Sequence, residues 1–276
     1  MKPKASIICS TYNTPQFLEL VLISLTKQTM LEFEFIIADD GSEKETKKLI
    51  ERYQQSALFA IKHIWHEDVG YRKAKIHNSA IRAALSDLLI FIDGDIVLSP
   101  TFVEDHLLIN QQNKSQEYLF MGRRVELGEQ LTKTLTPKNL YKKLLRPASF
   151  SLLKSCMVKD SRGFLRSFSF KNPIVRKLFK ADNVHDLLGC NFSLLKSTIG
   201  KVNGFNEDYK SYWGEDGDLF IRLRNHGCKL IGMKYYAVQY HLYHTRREIT
   251  PEHVENYQKL LSNGEYIRCE HGLIYE

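Results

Sequence analysis

The first hundred residues alternate short, almost continuously apolar runs with segments of helical spacing, and that alternation restricts the fold more than any other feature. Ala5-Ser6-Ile7-Ile8-Cys9-Ser10, Phe33-Glu34-Phe35-Ile36-Ile37-Ala38, residues 60–65 and Leu88-Leu89-Ile90-Phe91-Ile92 read as four strands. Strands apolar on both faces belong to a mostly parallel sheet covered by helices on each side, the α/β architecture. Between them, residues 17–28 place Leu18, Val21, Leu22 and Leu25 on one helical face, and residues 73–85 do the same with Ile76, Ala80, Ile81 and Ala84. Ser42 with Glu45 predicts a capping box that opens a helix to about residue 54. Ser99-Pro100 predicts another helix start, with Pro at its first position. With 276 residues and a hydrophobic fraction of 43%, the chain can bury the core of one large domain.

In sheets of this kind, ligands collect beyond the carboxyl ends of the strands. Three polar clusters fall there: Thr11-Tyr12-Asn13, Asp39-Asp40 and Asp93-Gly94-Asp95. Two carboxylates one residue apart after a buried strand, with a glycine allowing a sharp bend between them, suit a divalent cation that prefers oxygen ligands. An Asp-Gly turn alone would explain the triplet in isolation; its place at the end of an apolar strand points to Mg2+ or Mn2+ bound with a diphosphate. At Asp39-Asp40-Gly41-Ser42, a turn explains Gly41 and Ser42 but not two adjacent acids, one of which can accept a hydrogen bond from a nucleobase imide or a ribose hydroxyl.

Trp213-Gly214-Glu215-Asp216-Gly217-Asp218 opens a helical segment over residues 215–226. Acids in a first helical turn gain ~0.3–1 kcal/mol each from the helix dipole. Three of them beside a Trp exceed what capping needs, and one could take a proton from a sugar hydroxyl. Tyr240-His241-Leu242-Tyr243-His244 follows a strand-like run; its histidines could complete the Asp-rich cation site, although a histidine at a strand end is more often structural.

Charge is uneven along the chain. Residues 130–180 contain thirteen Lys and Arg against one acid, Asp160, so the remainder is close to −5 although the whole is +7. Periodicity is weak from 127 to 182, where basic residues interleave with Phe150, Phe164, Phe168, Phe170 and Phe179. This segment reads as a basic helical or loop insert facing an anionic partner, an anionic membrane surface or a phosphorylated lipid-linked glycan. No nucleic-acid motif accompanies it, so nucleic acid is not the expected partner. Five scattered cysteines form no CxxC pair, which argues against a disulfide framework or structural zinc. No apolar run approaches ~18 residues, and the N-terminus lacks signal-peptide architecture. A cytoplasmic protein, peripheral on the inner membrane face, is the expectation.

Taken in order, these motifs resemble the family 2 glycosyltransferases of the GT-A fold, over residues 6–102. Residues 188–244 are similar to the galactosyltransferase-type C-terminal segment of bacterial chondroitin-type polymerases and animal β-1,4-galactosyltransferases. The basic insert lies outside the resemblance. Ser10-Thr11-Tyr12-Asn13 matches the opening motif, which implies donor-nucleotide contacts by Thr11, Tyr12 and Asn13. Asp39-Asp40 matches the acidic pair, implying uracil and ribose recognition. Residues 66–72, continuing to Lys75, His77 and Asn78, resemble a segment lining the donor site, which implicates Arg72, Lys75 and Asn78. Asp93-Gly94-Asp95 matches the metal motif, with Asp95 holding the cation and Asp93 and Gly94 on the nucleotide side. Trp213-Gly214-Glu215-Asp216 matches the W-G-x-E-D stretch, implying Asp216 as catalytic base and Trp213 and Glu215 as sugar contacts. His241 falls where galactosyltransferase-like members place a metal-binding histidine. Two departures stand out: Ser10 occupies a position often taken by proline, and a second glycine often found before Glu215 is missing.

The resemblance implies an inverting enzyme moving a hexose or N-acetylhexosamine from a UDP-sugar to a glycan or lipid-linked glycan acceptor, with Mn2+ or Mg2+, in bacterial capsule or lipopolysaccharide synthesis. The implied organisation is a nucleotide-sugar-binding half over 1–126, the basic insert over 127–185, and an acceptor-binding and catalytic half with a terminal helix over 186–276. A sugar nucleotidyltransferase would need a glycine- and basic-rich loop after the first strand to hold a triphosphate, and residues 11–15 lack one. A non-catalytic nucleotide-sugar-binding module is the other alternative; intact Asp95, Asp216 and His241 argue against it.

Overall fold

The computed structural model describes residues 2–113, 117–146, 149–184, 188–210, 212–245 and 251–274. Its strands and helices run β1 (Ala5–Thr11), α1 (Pro15–Leu25), β2 (Phe33–Asp39), α2 (Lys44–Ser56), β3 (Ala60–Trp65), α3 (Lys73–Ala83), β4 (Leu88–Asp93), β5 (Ile96–Leu98), α4 (Phe102–Gln112), β6 (Tyr118–Met121) and β7 (Val125–Glu126). Then follow α5 (Glu129–Lys133), α6 (Phe150–Met157), α7 (Pro173–Leu178), β8 (Phe192–Leu195), α8 (Lys196–Lys201), α9 (Glu215–Asn225), β9 (Lys229–Gly232), β10 (Gln239–His241) and α10 (Pro251–Ser262).

Seven strands form the central sheet in the order β3-β2-β1-β4-β8-β6-β9. It is mostly parallel, as the apolar runs predict, with β8 antiparallel to both of its neighbours. Alternate side chains go to opposite faces. Ile7, Cys9, Phe35, Ile37, Ile90 and Ile92 pack with α1, α2 and α4, while Ile8, Ile36, Ala38, Leu89 and Phe91 pack with α3, α8 and α9. Each fully buried Leu or Ile contributes ~1.5–3 kcal/mol, so both faces need a helical layer.

Two helix starts differ from the sequence reading. Ser42 does not cap α2: its hydroxyl accepts from Asn13 N–H at 2.9 Å and its own N–H donates to Asp39 at 2.8 Å. Cross-strand bracing takes the place of the capping box. Likewise α4 begins at Phe102 rather than at Pro100, whose carbonyl is held by Thr29 N–H at 2.8 Å.

A second, three-stranded sheet has the order β5-β10-β7. It carries a third core. Leu127, Leu131, Leu135, Leu140, Leu144, Leu145 and Leu152 close over Val97, Val125, Val238, Tyr240 and Leu242. The first half of the basic segment is therefore a roof on the small sheet rather than a loop beside the large one. Its leucines come from several short helical turns, which is why no single period is visible in the sequence.

Candidate active site

Register brings the polar strand ends together. Thr11 lies opposite Asp39, and Ser10 opposite Asp93, so the ends of β1, β2 and β4 share one rim. Gly94 follows at once, and its N–H donates to the Ser10 carbonyl at 2.7 Å. A Cβ at 94 would stand 2.9 Å from that oxygen and 3.0 Å from Thr11 Oγ1. Glycine is required here by close approach, not by the sharp bend expected from the sequence.

The chain then turns into β5 and delivers Asp95 beside β10. Leu242 N–H donates to the Asp95 carbonyl at 3.0 Å, and Ile96 pairs with His241. That ladder fixes three side chains about one point. Asp95 Oδ2 is 3.1 Å from His244 Nε2 and 3.5 Å from His241 Nε2. One ligand atom from each of Asp95, His241 and His244 falls within 4.8 Å of the others. The second carboxylate oxygen of Asp95, Oδ1, is buried and has no hydrogen-bond partner among the described residues. A buried orphan oxygen beside two imidazoles fits a divalent cation. The sequence reading offered both histidines and the resemblance singled out His241 with Asp95; the structure brings His244 to the same point.

Behind His241 stands Glu126 at the end of β7, its Oε2 3.4 Å from His241 Nδ1. Arg124 Nε holds the other oxygen at 2.8 Å. Burial works against the Glu126 charge, but the His241 contact and the Arg124 guanidinium outweigh it and bring its pKa down to about 2. A permanently ionised carboxylate behind an imidazole orients the ring and turns Nε2 toward the shared point. Sequence reasoning missed Glu126; a two-residue strand after an apparent loop gives no periodic signal.

A second constellation is built around Lys73, the first residue of α3 and only 15% exposed. Its Nζ lies 3.1 Å from Asp93, 3.3 Å from Glu215 and 3.9 Å from Asp216. Ser10 Oγ donates to Asp93 at 2.7 Å. Burial opposes ionisation of Asp93, yet the Lys73 ammonium and the Ser10 hydroxyl prevail and hold it at about 2. Ser10 thus has a use that proline could not supply. Tyr71 Oη donates to Glu215 at 2.8 Å.

Asp216 is treated differently. Burial raises its pKa, Lys73 pulls it back, and the neighbouring charges of Glu215 and Asp93 push it up again, to about 7. Its Oδ1 is buried without a hydrogen-bond partner among the described residues. The backbone at Gly189 packs on this carboxylate so closely that a Cβ there would sit 1.7 Å from Oδ2. The third acid, Asp218, is fully buried and pairs with Arg222, which also donates to the Val202 and Gly204 carbonyls. The acid surplus that the sequence shows resolves into one structural ion pair and two site carboxylates. Trp213 and Gly214 enter α9 with positive φ of 82° and 111°, and the Trp213 ring meets Tyr257 at 5.6 Å.

The remaining predicted residues divide. Asp39 accepts from Ser42 N–H and contacts His63 Nε2 at 2.8 Å; Asp40 contacts His66 Nε2 at 2.6 Å and accepts from Arg72 N–H at 3.0 Å. Both sit on the rim, and both are committed to protein partners. Tyr12 donates to Asp68 at 2.8 Å, and Asn13 accepts from Glu43 N–H at 2.8 Å, bracing one rim loop against the next. The Arg72 side chain donates to the Glu67 carbonyl. Lys75 points to solvent from α3. Asn78 is buried and ties α3 to Phe205 and Glu207. Lys73, which the sequence reading passed over, holds the place that Lys75 and Asn78 do not reach: only the first residue of α3 meets Asp93, Glu215 and Asp216 at once.

Comparison with known proteins bears on the family and the fold. Residues 174–245 match a family described as the N-terminal domain of galactosyltransferase. The chain is 27% identical over 239 residues to validoxylamine A glucosyltransferase of Streptomyces hygroscopicus subsp. jinggangensis, covering 83% of this chain and 53% of that protein. It is 24% identical over 230 residues to chondroitin synthase of Escherichia coli, covering 81% and 32%. The chain thus spans a third to a half of these relatives. Among solved structures, residues 1–349 of S. aureus TarS in complex with UDP-GlcNAc superpose with a TM-score of 0.61 at 17% identity, covering 95% of this chain and 66% of that one. A mannosyltransferase from Pyrobaculum calidifontis in complex with GDP-Man and Mn2+ gives a TM-score of 0.57 at 16% identity, covering 89% and 59%. Residues 6–197, most of the central sheet, match glycosyl transferase family 2, and the chain belongs to that family.

Proposed function

We propose that the chain is a metal-dependent, inverting glycosyltransferase that moves a hexose or N-acetylhexosamine from a UDP-sugar to a hydroxyl of a glycan acceptor. The observation that carries this reading is the pairing of two unlike carboxylate sites. One, at Asp95, is poised for a cation; the other, at Asp216, has a proton affinity near neutrality. A general base works best with a pKa close to the working pH.

In this reading Asp216 accepts the proton of the acceptor hydroxyl. The freed oxygen attacks the anomeric carbon from the face opposite the diphosphate. A new glycosidic C–O bond forms as the C–O bond to the diphosphate breaks, and no side chain bonds covalently to the sugar. Lys73 holds Asp93, Glu215 and Asp216 in register, and Glu215, anchored by Tyr71, faces the sugar hydroxyls. Asp95, His241 and His244 hold the cation, which when bound neutralises charge on the departing diphosphate. Two imidazoles in the ligand set favour Mn2+ over Mg2+, which prefers oxygen. Thr11, Tyr12, Asn13, Asp39, Asp40 and Arg72 form the nucleotide side, with Asp39 and Asp40 reading uracil and ribose after exchanging a present partner. The likeness to proteins named chondroitin synthase favours a surface-polysaccharide acceptor in bacteria.

The test is a donor panel of UDP- and GDP-sugars with Mn2+, Mg2+ or EDTA, scored by nucleotide release and by the anomeric configuration of the product. Release from a UDP-sugar that needs metal, with inversion, is expected. Metal-independent release or a retained anomer defeats the mechanism; release from GDP-sugars alone defeats the donor assignment. Asp216→Asn is expected to abolish transfer while leaving UDP binding within about twofold, because an amide cannot act as the base.

A further inference from the structure

Residues 130–180 remain outside the site, and their surface has a consistent chemistry. Helix α6 buries Leu152 and Ser155 and presents Phe150, Lys154, Met157 and Val158 outward, positions that fall on one helical stripe. Phe150 is 77% exposed and Met157 76%. Helix α7 repeats the pattern in a shorter form. It buries Arg176 and turns Ile174, Lys177 and Leu178 outward, with Ile174 and Leu178 each 78% exposed. A row of rings joins the two helices: Phe164 meets Phe168 at 5.3 Å, Phe168 meets Phe170 at 6.3 Å, and Phe170 meets Phe179 at 5.5 Å.

The platform is pinned to the body of the protein. Lys171 Nζ reaches the buried Asp105 at 3.0 Å. Arg176 donates to the Phe170 and Lys234 carbonyls at 3.2 and 3.1 Å and lies 3.8 Å over the Tyr236 ring. The only acid in the stretch, Asp160, points inward and accepts from Gln130 N–H, Leu131 N–H and Ser155 Oγ. The outward charges contributed by residues 130–180 are therefore all basic, with large apolar tips spaced among the lysines; Glu104 and Asp182 stand at the edge, paired with Lys171 and Arg176.

We propose that this face docks on an anionic lipid surface, with Phe150, Met157, Ile174 and Leu178 entering between headgroups and Lys154, Lys177 and their neighbours meeting lipid phosphates. Each part of the chemistry needs the other. A soluble phosphorylated ligand would use the charges and leave four aliphatic or aromatic tips in water. A neutral apolar protein partner would leave the lysines unpaired. A lipid interface takes both, and one Lys or Arg near such a surface contributes ~1 kcal/mol, about fivefold in affinity. None of the described helices is long and apolar enough to cross a membrane, so the contact is at the surface.

Three measurements on the full chain test this. Sedimentation with vesicles of phosphatidylglycerol in phosphatidylcholine at low salt should retain the protein, and pure phosphatidylcholine should not. The pair Lys154→Gln and Lys177→Gln should weaken retention about 30-fold by the same per-charge figure. Phe150→Ser with Ile174→Ser should weaken it at least tenfold, with unchanged thermal melting and UDP binding. Phe150→Trp placed against brominated phosphatidylglycerol should be quenched. No retention at low salt, variants that bind as well as the parent, an unquenched Trp, or retention on single-stranded RNA but not on vesicles would each overturn the proposal.

Discussion

Replacing Lys73 by Met should move the pH dependence of transfer upward, and the size of the move follows from the geometry. Lys73 Nζ is 3.9 Å from Asp216 Oδ2. At an effective dielectric near 20, one unit charge at that distance is worth ~4 kcal/mol, and doubling the dielectric halves it to ~2. Divided by ~1.4 kcal/mol per unit, the Asp216 pKa should rise by ~1.5–3 units when the ammonium is removed. The sign is fixed by the role of Asp216 as base. It must be ionised to accept a proton, so activity appears as pH rises through its pKa, about 7 with Lys73 in place. In Lys73→Met the rising limb should fall between pH ~8.5 and ~10. At pH 7 the loss should be ~15- to 500-fold, and most of it should be recovered at pH 9 to 10. The assay is kcat/KM for UDP release with acceptor, from pH 6 to pH 10, for the parent, Lys73→Met and Lys73→Arg. Arg keeps a charge and should keep the limb within about one unit. A loss in Lys73→Met that is the same at every pH refutes the reasoning, because Lys73 would then act on something other than the ionisation of Asp216.

Three further outcomes follow from named contacts. Glu126→Gln should weaken Mn2+ binding ~10- to 100-fold by titration calorimetry without donor, since the His241 ring loses its charged anchor; unchanged affinity would remove Glu126 from the site. Gly189→Ala should displace the Asp216 carboxylate, which its Cβ would meet at 1.7 Å. Because the clash is with the far end of a side chain, transfer should be lost while the melting temperature changes little. Arg222→Met should leave Asp218 charged and buried without its partner, a loss of ~3–5 kcal/mol by urea unfolding, and Asp218→Asn in the same chain should recover part of it.

How much of this was readable in the sequence depended on whether a feature is local. The strand ends at Asp39 and Asp93 were readable because an apolar run followed by an acid is a pattern of six or seven adjacent residues. The pairing that puts those ends on one rim is implied by the parallel fold itself, which needs only the alternation. The small sheet was not readable in this way. β5, β7 and β10 have two or three residues each, too short for a period of two to show. Glu126 went unrecognised for the same reason, and the roof leucines of residues 127–152 because they are shared among several short helical turns.

Lys73 and Lys75 show the limit most clearly. Both lie in the same helix, two residues apart, and composition cannot separate them. Helical geometry turns them ~200° away from one another, so only one can face the rim, and the phase is set by how α3 packs on the sheet. Ala74, Ile76, Ala80 and Ile81 define that packed face. An apolar stripe alone leaves the helix's flanking positions equivalent. What distinguishes them is what waits beyond the helix N-terminus, and here that is Asp93 on one strand and Glu215 and Asp216 on a helix some 140 positions later in the chain. A cation that pairs three acids from two distant segments is a property of the assembled fold. The acids could be proposed from their own neighbourhoods, while the lysine that sets their proton affinities could be recognised only once they stood together.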